Sequence, residues 1–269
     1  PEETAEFVRY HFLHSQRDAP GREEKTEYMI DRMRHAAVMF GVTDDTRELV
    51  ETLYLTFLDA LNSHFEEYPY LLGWRPCLGD FGLSGPLYAH LGRDPYPARL
   101  MQQRAPRVWR WVERMNRADQ DAPEYFNAGD DFLADDAVPD TLLAVLRVVA
   151  SDFVPETRAS AEFVNQWLAE QAPKAGAPAV GRLAEAPTSA AFLVDGQQIT
   201  ALAQPYRHFQ LQRVHQLVSA FADREQSAVM ALLERCGFGQ LLSISLHRTI
   251  VHEGNLERWG PPKDGGFKK

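Results

Sequence analysis

Val50, Leu53, Tyr54, Phe57, Leu58, Leu61 and Phe65 recur every three or four residues, the period of one face of an α-helix. An apolar stripe of that length has to be covered by other elements, and the same period elsewhere in the chain supplies helices to do it, so the expected fold class is all-α. Thr43 stands where an N-cap oxygen is needed. Asp44 and Asp45 follow in the first turn, where carboxylates favour the positive end of the helix dipole, and the spacing predicts a helix over 44–66. Upstream, Met29, Met33, Ala36, Ala37 and Phe40 form a second stripe that Gly41 ends, which predicts a helical hairpin. A shorter helix over 3–15, carrying Phe7, Val8, His11 and Phe12, precedes it.

Further helices are expected over 78–91 and over 104–117, the latter with Val108, Trp111, Val112 and Met115 on one face. Asp130, Asp131, Asp135 and Asp136 make residues 118–138 a long solvated excursion. Leu142 to Phe153 is apolar on more than one face and reads as a buried helix, after which Pro155 opens another helix to Gln171. Residues 173–189 are rich in Ala, Pro and Gly. Beyond them Asp195-Gly196, between two apolar runs, signals a small β-hairpin. Helices resume over 205–221 and from Asp223 to Gly237, the segment 241–252 suits strand and helix alike, and coil is expected from Trp259. The expected division is therefore a helical domain over 1–172, an appended hairpin with helices over 173–258, and a coil tail over 259–269.

Composition narrows the function classes. The formal net charge is −10, which repels a phosphate backbone, so nucleic acid is not an expected partner. Even the apolar run Leu142–Ala150 is broken by Arg147, so no membrane span is expected. Cys77 and Cys236 stand far apart outside any zinc or disulfide spacing, which points to a reducing, cytoplasmic setting. The chain begins Pro-Glu-Glu-Thr with neither an initiator Met nor a signal-peptide pattern, and a preceding segment is expected. The pairs His11/His14 and His208/His215 lack an associated carboxylate, so no metal site is expected. Ser84 sits in Gly82-Leu-Ser-Gly-Pro86, where the proline and the helical context remove the likeness to a nucleophile elbow. Arg104, Arg107, Arg110 and Arg114 read as a solvated or salt-bridged face.

The most informative stretch is Tyr70 to Leu91. Its spacing puts Cys77 at the N-cap of a helix and Asp80 at N3, from which a carboxylate reaches back to unpaired N–H groups; both are structural helix-start residues. Gly79, Gly82 and Gly85 clear one side of that helix for the close approach of another backbone, and Pro86 predicts a kink. Tyr88, His90 and Arg93 cluster after it, beside Gly92 and Asp94-Pro95, as candidate substrate-binding residues.

This stretch resembles the C-terminal helical domain of glutathione S-transferases, in Leu72-Gly73, in Cys77-Leu-Gly-Asp80 and in Ala105-Pro106-Arg107-Val108-Trp109-Arg110-Trp111. The likeness covers 50–117, and residues 204–258 look like the extra C-terminal region of longer bacterial members. Cys77 stands where the family has Ser or Thr. The family holds glutathione mainly in an N-terminal thioredoxin-like domain, and no βαβ pattern precedes these helices. The resemblance therefore implies a glutathione S-transferase C-terminal-like bundle that forms one wall of the pocket for a hydrophobic electrophile, in a homodimer. Glutathione is then the co-substrate, bound by a domain outside these residues, and no catalytic residue is expected here. The alternative is a non-catalytic binding or dimerisation module on the same fold.

Overall fold

The computed structural model describes residues 2–118, 122–126, 129–179 and 189–263. Among them the chain is mostly helical, with two small antiparallel hairpins. It divides into two compact units, one comprising residues 1–36 and 48–148 and the other 37–47 and 149–269. The boundary between residues 148 and 149 falls inside a helix.

In the first unit come α1 (Glu2–Ser15), α2 (Arg22–Met39) and α3 (Arg47–Glu67), the last carrying the long stripe. Leu58, Leu61 and Phe65 of that stripe are fully buried. Thr43 closes the turn that leads into α3: its hydroxyl accepts from Thr46 N–H, and Thr46 Oγ1 accepts from Thr43 N–H at 2.9 Å. The first turn, 44–46, is thus a hydrogen-bonded turn rather than regular helix. On α2 the buried residues are Thr26 and Ile30, while Met33 and Phe40 are exposed, so the expected Met29–Phe40 stripe is not the face turned inward.

Next come α4 (Leu78–Pro86), a π-helical turn (Leu87–Leu91), α5 (Pro95–Arg104) and α6 (Pro106–Met115). The π turn follows directly on Pro86 and absorbs the missing donor by widening the helix instead of ending it. The helix expected over 104–117 is α6, beginning at Pro106; α5 before it was not expected, and Pro106 forces Ala105 between the two out of helical geometry, to φ −132° and ψ 63°. Trp111 of α6 stacks on Phe65 of α3, ring centroids 5.2 Å apart, at the centre of this unit's core.

α7 (Asp140–Gln171) runs without a break through Pro155, where two helices were expected. Val154, Thr157, Ser160, Ala161 and Val164 are buried on this length of helix, and that packing outweighs the roughly 3 kcal/mol an interior proline costs. The second unit adds β1 (Ser189–Val194) and β2 (Gln197–Leu202), turning at Asp195-Gly196 with both φ angles positive, as the Asp-Gly pair requires. Then follow α8 (Pro205–Ser219), α9 (Asp223–Arg235), β3 (Arg248–Glu253) and β4 (Leu256–Pro262). The β3–β4 hairpin makes 248–252 strand, one of the two forms that segment suits, and corrects the expected coil: 259–262 is strand, and Trp259 pairs with Ile250 and is buried. Residues 176–179 run beside β4, with Ala179 N–H donating to Glu257 C=O at 2.7 Å. The rest of the expected Ala/Pro/Gly linker, 180–188, and the tail 264–269 lie outside the described residues.

Candidate functional site

The first unit is organised around one carboxylate. Asp80, at N3 of α4, is completely buried. Its Oδ2 accepts from Cys77 N–H at 2.9 Å, and its Oδ1 accepts from Trp111 Nε1–H at 3.0 Å and from Leu71 N–H at 3.2 Å. A buried anion needs such donors, and these three tie the start of α4 to α6 and to the loop after α3. Cys77 is the N-cap, with extended backbone at φ −101° and ψ 176°. Its sulfur is a weak acceptor, so the carboxylate half of this box is the stronger one.

Close by, His64 of α3 is also buried. It bonds Thr141 Oγ1 through Nδ1 at 2.9 Å and Tyr70 C=O through Nε2 at 3.3 Å. Burial pushes its imidazole below the ordinary histidine value, so it is a neutral packing residue rather than a proton carrier at neutral pH. Arg114 departs from the solvated row it was expected to join: it is buried, donates to Pro69 C=O and to Glu124, and lies over the rings of Tyr70 and Tyr125. Arg104 and Arg107 do stay in exposed ion pairs, with Asp59 and Glu66.

The segment after residue 130 is only half the solvated loop expected. Its aspartates are exposed, but Leu133 N–H donates to Leu72 C=O at 3.0 Å and Trp74 N–H to Asp131 C=O at 3.0 Å, so the segment closes back on 72–74. Gly73, at φ 115°, permits this approach, since a Cβ there would lie 3.0 Å from Leu133 N. Between them is a cavity of about 270 Å³ lined by Leu72, Cys77, Phe132, Leu133 and Val138, with Asp136 the one carboxylate. The signal for it in the sequence is weak: three apolar residues, Phe132, Leu133 and Val138, scattered among aspartates.

Tyr88, His90 and Arg93 do not line this cavity. All three are exposed at the π turn and just after it. The Arg93 guanidinium sits 5.7 Å from the Tyr88 ring centroid, and the His90 carbonyl accepts from the N–H groups of Arg93 and Asp94. The face of α4 leading to them is bare. Leu78 is 88% and Phe81 59% exposed, and a Cβ at Gly82 or Gly85 would meet nothing within 4 Å. The expected close backbone approach is therefore not made at those glycines; only Gly79 is tight, with Leu71 Cδ1 at 2.9 Å from an added Cβ.

Comparison with known proteins found no matching family, no matching curated protein and no matching solved structure.

Chemically, the cavity is suited to apolar contact. Burial pushes the Cys77 thiol up, so it is not a ready thiolate despite its place at a helix N-terminus. Ser84 Oγ donates to Phe81 C=O within its own helix. In the second unit Ser160 Oγ lies 2.9 Å from His208 Nε2, but His208 Nδ1 has no partner among the described residues, so the orienting third member of a nucleophilic triad is lacking. No group of three or more His, Cys, Asp or Glu side chains is placed to hold a metal ion among the described residues. No helix among them is long and apolar enough to cross a membrane.

Proposed function

We propose that this chain is the helical, substrate-pocket half of a glutathione S-transferase-like enzyme, acting as a homodimer on a hydrophobic electrophile. The observation that carries the reading is the two-sided construction of α4. One side starts on a buried carboxylate that anchors it to the core; the other presents Leu78 and Phe81 to water beside two glycines with no neighbour. Exposed apolar side chains grouped on an anchored helix favour a covering partner. In this reading the partner is a thioredoxin-like domain that holds glutathione and lowers its thiol pKa.

The apolar lining of the Leu72–Val138 cavity fits a wall that excludes water from an electrophile and itself performs no proton transfer. Tyr88, His90 and Arg93 belong to the bare side of α4 and its continuation, where they would face the bound pair. The test is to express these residues together with the segment encoded directly before them. Both proteins are then titrated with glutathione and assayed for conjugation to an aromatic electrophile. Binding and turnover are expected for the longer protein and neither for these residues alone. A longer protein that folds but neither binds nor turns over glutathione would favour the non-catalytic module.

A further inference from the structure

The second unit contains a small cavity between α8, the 244–246 segment, β3 and the residue after β4. Its lining includes His208, His215, Arg248 and Lys263, and no carboxylate. The space holds one water-sized particle. His208 is buried, and its Nε2 is engaged by Ser160 Oγ at 2.9 Å. With the serine hydroxyl donating, the ring proton lies on Nδ1, a buried nitrogen with no hydrogen-bond partner among the described residues. His215 Nε2 is a second ring nitrogen with no partner among the described residues, an acceptor because the ring donates to the Leu241 backbone. The Arg248 guanidinium donates through Nε and Nη1 to the carbonyls of Gly260 and Pro173, two of its five N–H groups, and has no carboxylate partner among the described residues. The Lys263 ammonium has no ion-pair partner among the described residues.

A half-buried cation and an orphaned buried donor on one small cavity are costly unless something neutralises them. A water molecule would satisfy the donor and leave the charge. We propose that this cavity binds a small anion of halide size, held between the Lys263 ammonium and the His208 imidazole. Burial also lowers the Lys263 pKa, and burial with the charges of Arg207 and Lys263 lowers that of His208, the environment an anion would reverse. The cavity is too small to enclose a tetrahedral phosphate. A free halide and the carboxylate end of a larger molecule share the required chemistry.

The experiment follows the thermal unfolding midpoint at constant ionic strength while methanesulfonate, a tetrahedral anion with no carboxylate and too large to enter, is replaced by chloride. The wild-type midpoint is expected to climb with chloride concentration, as for any ligand that binds only the native state. Lys263→Met is expected to show a roughly tenfold weaker apparent affinity. Acetate replaces chloride in a parallel series. A gain with acetate as well assigns the site to a carboxylate end, and a gain with chloride alone to a free halide. Equal midpoints in methanesulfonate and chloride, or an unaltered response in Lys263→Met, overturn the proposal and leave a water in the cavity. Bromide-soaked crystals of the wild type give a readout independent of any variant: an anomalous peak beside His208 is expected, and ordered bromide elsewhere with none here also overturns it.

Discussion

Replacing Asp80 by alanine removes the acceptor of three donors at once: Cys77 N–H, Leu71 N–H and Trp111 Nε1–H. Each buried donor left without a partner costs about 1–3 kcal/mol. Relief from burying the carboxylate offsets part of that sum, and the net loss expected is about 3–5 kcal/mol, the range for breaking a buried charged set by deleting one member. Against a typical total of about 5–15 kcal/mol, this brings the unit close to the limit of folding. Asp80→Asn keeps one carbonyl for Trp111 and Leu71 but turns an amide N–H₂ towards Cys77 N–H, so its loss is expected to be about 1–2 kcal/mol smaller. The assay is urea unfolding followed by tryptophan fluorescence, because Trp111 reports from the bond being removed. With a slope of about 1–3 kcal/mol per molar urea, the alanine variant's midpoint is expected to fall by about 1 M or more. Trp111→Phe, alone and combined with Asp80→Asn, completes a cycle in which the two losses are expected not to add. A midpoint within about 0.3 M of the wild type for Asp80→Ala would refute the idea that this carboxylate holds the start of α4 to the core.

Cys77→Ser gives the N-cap a stronger acceptor for the Asp80 N–H and is expected to stabilise by about 0.5–1 kcal/mol in the same assay; a loss would mean that apolar packing of the thiol against the cavity matters more. His208 has a native pKa of about 4, lowered mainly by burial, against an ordinary 6.5. Above 6.5 its ring is neutral in both states and its contribution is fully present. Between the two values the unfolded chain binds the extra proton, so about 3 kcal/mol is lost as pH falls from 6.5 to 4. His208→Gln, studied in chloride-free buffer, is expected to flatten that part of the stability profile, and an unchanged slope would contradict a buried neutral imidazole.

The elements readable from the residues alone are those whose signal is local. A stripe from Val50 to Phe65 is long enough to impose a helix whatever packs on it, and Thr43 closes the turn leading into it by a bond three residues away. The pair Cys77 and Asp80 marks the start of α4 because the box closes within one turn, and Asp195-Gly196 fixes its hairpin because few residue pairs tolerate two positive φ angles. What lies beyond reach is set by partners distant in sequence. Pro155 looks like a helix start until the burial of Val154, Ser160 and Val164 carries the helix through it. The stripe on α2 scores by period, yet which of its faces turns inward depends on what stands opposite, and Ile30 rather than Met33 is buried. Arg114 reads as one of a solvated row, but the rings of Tyr70 and Tyr125 and the carbonyl of Pro69 receive it in the interior. The Leu72–Val138 cavity exists only because a loop of exposed aspartates folds its few apolar residues back onto Gly73, a contact between segments some sixty residues apart. Periodicity and capping are properties of a few neighbouring residues, whereas burial is a property of the assembled chain, and only the tertiary structure assigns it.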